Sequence, residues 1–302
     1  MNPPDIKTAV AYAKQRWPGS EFVISRKKKE AHGKCPICNR AEHDGFIIFE
    51  SGRYLCRPGG CEGWVDEDEP RVLTQAEKNA IEIDNLKRKQ QELEKRLSVL
   101  ERMHQCTDHL DYHRALDDDA RRYWHGQGIY DEAINRYLLG LCYRCPTDRE
   151  HRASWTIPVF TKGELVNIRH RLFNADGDKY RPHMAGLGNT LFNSDNLYNG
   201  QPDVMIVEGE KKSICVSQYD INTVGIMGKA GFPPAWAAAF KTQRTVYVAL
   251  DPDAQDNAHK LAALFPGRGR VVTLPEKADD FFVMGGKPQE FREYMRQARR
   301  VD

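Results

Sequence analysis

The sequence lacks any apolar run near the roughly 20 residues that a membrane-spanning helix requires, and it lacks an excess of charge of either sign. Its 302 residues carry 45 Lys and Arg against 43 Asp and Glu, which gives a net charge of +2. The N-terminus, Met1 to Asp5, contains no apolar region like that of a signal peptide. We therefore expect a cytoplasmic protein with no membrane partner, and any nucleic-acid-binding surface must be local.

The eight cysteines are clustered, which in a chain without a secretion signal favours metal binding over disulfides. One C-x2-C pair and one C-x4-C pair are formed by Cys35, Cys38, Cys56 and Cys61. Residues 46–55 between them are typical of a β-hairpin. Two cysteine knuckles beside a hairpin predict a β ribbon that holds structural Zn²⁺. His32 and His43 lie nearby, but with four cysteines available they are better explained as exposed polar residues.

The same segment carries cations and aromatic residues, which together suit single-stranded nucleic acid: cations for phosphates and rings for base stacking. They are Arg26, Lys27, Lys28, Lys29, Lys34, Arg53, Arg57, Phe46, Phe49, Tyr54 and Trp64. Some of these rings must form the hairpin core. The alternative is that the ribbon has a purely structural role and binds no nucleic acid. Elsewhere, Cys142 and Cys145 form a C-x2-C with no second pair nearby, so we expect ordinary thiols. Cys106 and Cys215 are expected to be small apolar residues.

Residues 74–104 contain neither Gly nor Pro and predict one long helix. Residues at alternating three- and four-residue spacing predict a short coiled-coil seam: Ile83, Leu86, Gln90, Leu93, Leu97 and Leu100. This helix either packs on its own protein, bridges two domains or mediates self-association, and the oligomeric state stays open. Residues 108–140 are again helical in pattern, with a break at Gly126–Gly128.

Acidic residues follow two short apolar runs near the C-terminus. Val204–Val207 ends on Glu208, and Val246–Leu250 ends on Asp251-Pro252-Asp253. Such runs are typical of parallel strands buried on both faces, whose carboxyl ends meet at the crevice where open α/β sheets bind ligands. Because repulsion disfavours clustered carboxylates, we predict a divalent metal site there.

Lysines and further acids occupy the turns that follow these strands. Lys211 begins a predicted helix after Gly209, and Lys229 lies in a second glycine-rich turn, so both suit phosphate groups. Asp279 and Asp280 follow a further strand. The alternative is that all these acids merely form turns and cap helices. Taken together, their order and spacing favour Mg²⁺- or Mn²⁺-dependent phosphate chemistry.

These segments carry a family resemblance. Val204–Glu210, Ala249–Asp253 and Lys277–Asp280 resemble the three Toprim motifs of bacterial-type primases, topoisomerases and some nucleases. Residues 32–61 resemble the zinc ribbon of bacterial and phage DNA primases, and residues 120–193 resemble the first part of the primase RNA-polymerase domain. Apart from the helix over 74–104, nearly the whole chain is covered.

The resemblance implies an α/β multi-domain primase. Its parts would be a four-cysteine zinc ribbon (1–70), a linker helix (71–104), the N-terminal subdomain of the RNA-polymerase domain (105–200) and a Toprim catalytic subdomain with a mainly parallel sheet (201–302). It implies synthesis of short RNA primers on single-stranded DNA from NTPs, in a bacterial host cell, with a phage or mobile-element primase as the nearest type. No room is left for a helicase-interaction domain, so a replicative helicase would be supplied in trans.

By the same resemblance, Glu208, Asp251 and Asp253 would be catalytic and would bind Mg²⁺ together with one or both of Asp279 and Asp280. A basic groove for template and nucleotides would be lined by Arg169, Arg171, Lys179 and Arg181. Lys212 departs from the family, since many primases carry an acid at that position. A Toprim nuclease acting on DNA and a non-catalytic zinc-ribbon adaptor that binds single strands for a helicase are the alternatives.

Overall fold

The computed structural model describes residues 5–25, 29–38, 45–57, 60–65, 75–174 and 179–301. The chain divides into two compact units, Met1–Gln91 and Glu92–Asp302. Among the residues singled out above, His43 and the cations at 26–28 lie outside the described residues.

The first unit contains a short helix, a five-stranded antiparallel sheet and the beginning of the long helix described below. Its elements are α1 (Ile6–Arg16), β1 (Phe22–Ile24), β2 (Glu30–Gly33), β3 (Phe46–Phe49), β4 (Arg53–Cys56) and β5 (Glu62–Trp64), with the strands in sequence order. Asp5 caps α1 by accepting a hydrogen bond from the Thr8 amide at 2.7 Å. Phe46 and Tyr54 stack at 5.2 Å between ring centroids, and Trp17 packs edge-on against both. These rings pack with the buried apolar side chains of α1 and of the sheet in a single core.

The long helix predicted after residue 70 is confirmed as α2 (Gln75–His104). The side chains of Ile83, Leu86, Leu93 and Leu97 are exposed, whereas Leu100 packs against the main core of the second unit. The apolar seam is therefore in contact with a core at its C-terminal end. Self-association through the exposed part stays a prediction.

The second unit begins with short helices and a four-stranded antiparallel sheet. The elements are α3 (Asp108–Arg114), α4 (Asp118–Gly126), α5 (Asp131–Arg136), β6 (Gly140–Cys142), β7 (Ser154–Thr161), β8 (Glu164–Leu172) and β9 (Tyr180–Pro182), with the strands in sequence order. The prediction that the helical segment extends to residue 140 is wrong at its C-terminal end, where a strand begins. Leu138 turns the chain with φ of +50°, and Gly140 then pairs with Thr156 of β7. Gly140 is required there because a Cβ would lie 2.6 Å from the Thr156 hydroxyl and from the Tyr112 backbone.

A mostly parallel sheet completes the second unit. It contains β10 (Asp203–Glu208), α6 (Glu210–Ser217), β11 (Thr223–Ile226), β12 (Thr245–Ala249), α7 (Gln255–Ala262), β13 (Gly269–Val271), α8 (Ala278–Val283), α9 (Pro288–Arg296) and β14 (Arg299–Arg300). The strand order is β11-β10-β12-β13-β14, and only β14 is antiparallel. Alternate residues of β10 enter two different cores, with Met205 in one and Ile206 in the other.

The predicted fold class is confirmed: an antiparallel sheet bearing four cysteines precedes a long helix and an α/β unit with a mainly parallel sheet. In the part of the chain that the structure describes, no helix is both long and apolar enough to cross a membrane.

Candidate active site and zinc site

The four predicted zinc ligands lie together in the first unit. The sulfur atoms of Cys35, Cys38, Cys56 and Cys61 all lie within 4.8 Å of one another. The amide of Cys56, at the end of β4, donates to the Cys61 carbonyl at 2.7 Å, which closes the second knuckle. Burial, followed by the neighbouring Cys35 sulfur, raises the pKa of Cys61 to about 12. With a pKa raised in this way, the thiols need a nearby cation to become thiolates. Four sulfur donors are a common ligand set for structural Zn²⁺.

The structure separates the aromatic residues of this unit into two groups. Phe46 and Tyr54 are fully buried and serve the core, whereas Phe49 and Trp64 are partly exposed. His32 pairs with Glu30 at 3.3 Å and is not part of the sulfur cluster. Any stacking surface on this unit is therefore limited to Phe49 and Trp64 among the rings singled out from the sequence.

The acidic ends of β10 and β12 lie side by side, as predicted. These strands are parallel neighbours with Val207 opposite Ala249, so Glu208 and Asp251 leave the same edge of the sheet. Gly209 follows with φ of +91° and allows α6 to begin one residue after the strand. The turn therefore brings the lysines of α6 to the same edge.

Most of the acids around this edge are paired with a cation. The pairs are Lys212 Nζ with Asp251 Oδ1 at 2.9 Å, Lys211 Nζ with Asp279 Oδ2 at 2.7 Å, Arg169 Nε with Glu210 Oε1 at 3.3 Å and Lys229 Nζ with Asp253 Oδ2 at 3.3 Å. The first three pairs are largely buried and the last is exposed. Among the described residues, no cluster of three metal-ligand side chains within 4.8 Å includes these acids. A divalent ion at this edge must therefore compete with the lysines for the carboxylates.

Lys212→Gln is expected to raise the affinity for Mn²⁺ about tenfold, or about 1.4 kcal/mol. The reason is that Lys212 holds Asp251 in a pair whose two side chains are only 13% and 12% exposed. Titration with Mn²⁺, monitored by electron paramagnetic resonance, measures the change. Lys260→Gln, an exposed lysine of α7, is the matched control. An unchanged affinity in Lys212→Gln would contradict this competition.

Glu208 differs from its neighbours because no cation of the described residues lies within ion-pairing distance of it. Burial raises its pKa above the ordinary value of 4.5, the charge of Asp251 adds to this, and Lys212 opposes it. The charges of Asp251 and Asp253 both act on Glu208, so the structure brings these three acids into one electrostatic group.

The affinity for Mn²⁺ is expected to fall as the pH is lowered through the raised pKa of Glu208. Metal binding requires the ionised carboxylate, and a raised pKa lets protons compete at a higher pH than for an ordinary glutamate. In Glu208→Gln the fall should move to lower pH, because the carboxyl group with the raised pKa has been removed. Metal titrations over a pH series test this shift, and an identical profile in the variant would rule out the assignment to Glu208.

The structure distinguishes between the two acids of the third motif. Asp279 is 2% exposed in the first turn of α8, whereas Asp280 is half-buried. Burial alone would raise the pKa of Asp279, but the attraction of Lys211 lowers it overall. Lys211 also donates to Gln127 Oε1 at 2.8 Å, which connects α6 to the segment after α4. Asp279 is therefore the buried acid of the two and the one that pairs with a lysine of α6.

The predicted basic residues of the antiparallel sheet have different surroundings. Arg169 is 7% exposed, lies over the Tyr180 ring and pairs with Glu210. Arg181 donates to the neighbouring Tyr180 carbonyl at 3.0 Å. Arg169 is therefore held inside the protein, where it fixes Glu210. Glu210 was not among the site residues predicted from the sequence. The feature that could have indicated it is its position two residues after Glu208, in Glu-Gly-Glu.

Arg171 and Lys179 instead line an aromatic cavity of about 380 Å³. Tyr123 and Trp155 stack in it at 3.9 Å with 9° between their planes, and Phe173 lies 4.6 Å from Trp155. Arg171 lies over the Tyr123 ring. Ring faces beside two cations are suited to an unpaired base and its phosphate.

Comparison with known proteins gives matches among solved structures alone, because no family model and no curated protein matches this chain. The zinc-binding and RNA polymerase domains of the Aquifex aeolicus primase are 17% identical with a TM-score of 0.53, covering 98% of this chain and 83% of that one. A DnaG primase catalytic domain bound to single-stranded DNA is 21% identical with a TM-score of 0.52, covering 68% and 83% of the two chains. A Pseudomonas aeruginosa DNA primase domain is 17% identical with a TM-score of 0.52, covering 64% and 77%.

The chain thus has the fold of the zinc-binding and catalytic domains of bacterial primases. The resemblance stated from the sequence is confirmed at the level of the fold.

Proposed function

We propose that this protein is a DNA primase that synthesises short RNA primers on single-stranded DNA by metal-dependent nucleotidyl transfer. The observation that carries the proposal is the pair of acidic ends on adjacent parallel strands, Glu208 on β10 and Asp251 after β12. They occur in a chain that also holds a four-cysteine cluster and has a primase fold.

The residues at the sheet edge fit Mg²⁺ or Mn²⁺. Their donors are carboxylate oxygens, which both ions prefer. Asp279 Oδ1 is buried without a hydrogen-bond partner among the described residues, so an acceptor is available there. Glu208, Asp251, Asp253 and Asp279 would hold the ions of what we propose is a Toprim site. Bound ions would supply positive charge at the attacking and leaving oxygens of phosphoryl transfer.

The protein's own residues would position the reactants. Lys211, in the first turn of α6, and Lys229, in the turn after β11, would neutralise the phosphates of an incoming NTP when it displaces their carboxylate partners. Arg171 and Lys179 would hold the template beside the aromatic cavity. The zinc ribbon would also contact the single strand. A primase catalytic domain of the same fold has been solved with single-stranded DNA bound, which supports template binding by the second unit. In this proposal, the template and the incoming nucleotide are therefore bound by different residues.

The proposed function is tested by incubating the protein with single-stranded DNA, labelled NTPs and Mg²⁺ or Mn²⁺. Short RNA products support a primase. Shortened template without RNA would instead show a Toprim nuclease, and binding without any product would show an adaptor. A helicase supplied in trans is expected to increase primer yield, which the same assay measures on addition of a replicative helicase.

A further inference from the structure

A second cluster of metal-ligand side chains lies in the second unit, away from both the ribbon and the acidic sheet edge. Cys106 follows α2, Asp108 begins α3 and His183 follows β9. One ligand atom from each lies within 4.8 Å of the other two. The sequence predicts Cys106 to be merely a small apolar residue, and it gives no reason to connect it with His183.

The separations are those expected around a tetrahedral metal ion. His183 Nε2 lies 3.3 Å from Asp108 Oδ2 and 3.6 Å from Cys106 Sγ. Tetrahedral zinc has bonds of roughly 2.0 Å to N and O and about 2.3 Å to S. This places N and O about 3.3 Å apart and S and N about 3.5 Å apart. An N–H···O hydrogen bond usually spans about 2.7–3.2 Å, so the observed spacing is wider than a good direct bond.

The other nitrogen of His183 is held by buried polar groups. His183 Nδ1 lies 3.0 Å from His170 Nε2, and His170 Nδ1 lies 2.9 Å from Ser154 Oγ. If each Nδ1–H donates along this chain, the lone pair of His183 Nε2 is left facing Cys106 and Asp108. Metal-binding histidines are commonly oriented by such a hydrogen bond from their second nitrogen. His170 and His183 are 0% and 6% exposed.

The backbone at His183 and the exposure of Asp108 also fit a metal site. The amide of His183 donates to Asn167 Oδ1 at 3.3 Å, which holds the chain at this ligand in place. Asp108 is half-exposed, with 51% of its side chain accessible, so one side of the cluster opens to solvent and can admit a water.

We propose that Cys106, Asp108 and His183 form a second zinc site, with three protein ligands and a water in the fourth position. A thiolate, an imidazole and a carboxylate together favour zinc over Mg²⁺ or Ca²⁺. The ion would tie the segment after α2 to the end of β9 within the same unit. The proposal does not depend on the catalytic role proposed above, since none of its ligands belongs to the acidic edge.

The test is the zinc content of the full-length chain after saturation with Zn²⁺ and removal of excess metal. Wild type is expected to hold two equivalents, and both Asp108→Asn and Cys106→Ser are expected to hold one. Asp111→Asn removes another exposed carboxylate of α3 and is the matched control, so it should keep two. Thermal unfolding of each variant checks that the fold is retained.

A second measurement is independent of any loss of zinc by misfolding. The double variant Cys35→Ser/Cys38→Ser removes half of the ribbon ligands. In this variant, bound Co²⁺ should still give a charge-transfer band with the intensity of a single thiolate ligand. Adding Asp108→Asn to the double variant should shift or remove this band. One zinc equivalent in wild type, two in Asp108→Asn, or no cobalt band in the ribbon variant would each overturn the proposal. A metal-free hydrogen-bonded cluster would then explain the contacts.

Discussion

Asp251→Asn is expected to lower primer synthesis by about 10²–10³-fold, a loss typical of removing one preorganised electrostatic group from an active site. The substitution keeps the shape of the side chain but removes its charge at the edge shared with Glu208. Gel analysis of labelled RNA products measures the loss. Binding of single-stranded DNA, measured by fluorescence anisotropy, should stay within about twofold of wild type, because we assign template binding to other residues.

The matched control is Asp256→Asn, an exposed carboxylate in the first turn of α7. It should leave primer synthesis unchanged. Since Asp251→Asn also leaves Lys212 without its buried partner, thermal unfolding of both variants must accompany the assay. Full primer synthesis by folded Asp251→Asn would refute the assignment of this acid. Loss of single-strand binding in step with activity would instead place Asp251 in template binding.

Cys56→Ser is expected to release the ribbon zinc and to unfold the first unit. The unit has one helix, short strands and a small core, and domains of this size commonly need a metal or disulfides to fold. Structural zinc sites contribute about 10–16 kcal/mol in apparent binding free energy, which is as large as the about 5–15 kcal/mol that stabilises a typical domain. Cys56 is 1% exposed and ends β4, so its replacement leaves a gap in both the ligand set and the sheet.

Hydrogen exchange measures this outcome directly. Amides of β2 to β5 should lose protection in Cys56→Ser, while those of β10 and β12 keep it. The zinc content should fall by one equivalent relative to wild type. Cys142→Ser, a buried cysteine outside both clusters, is the control and should lose neither zinc nor protection. Retained protection in β3 and β4 without zinc would show that the core folds by itself.

Much of the fold could be predicted because it is encoded locally. The run Val204–Val207 has the apolar pattern of a doubly buried strand, and its end fixes where Glu208 must emerge. Cys35 and Cys38 are held together by their own short loop, and a hairpin returns the chain to Cys56. The prediction that the helical segment reaches residue 140 was wrong because Leu138 takes a left-handed conformation that ends it. The hydrophobic periodicity of the sequence does not indicate such a conformation.

The sequence by itself determined the strands, the strand-end acids and the four-cysteine ribbon, because each depends on residues close in the chain or on the two-residue period of a strand. Tertiary structure alone decided the partners: Lys212 with Asp251, Arg169 with Glu210, and Lys211 with Asp279. It also brought His183 to Cys106 and Asp108. These contacts join segments that are far apart in sequence. Whether they form depends on the packing of helices on the sheets and on the length of each side chain, and neither can be read from a local pattern.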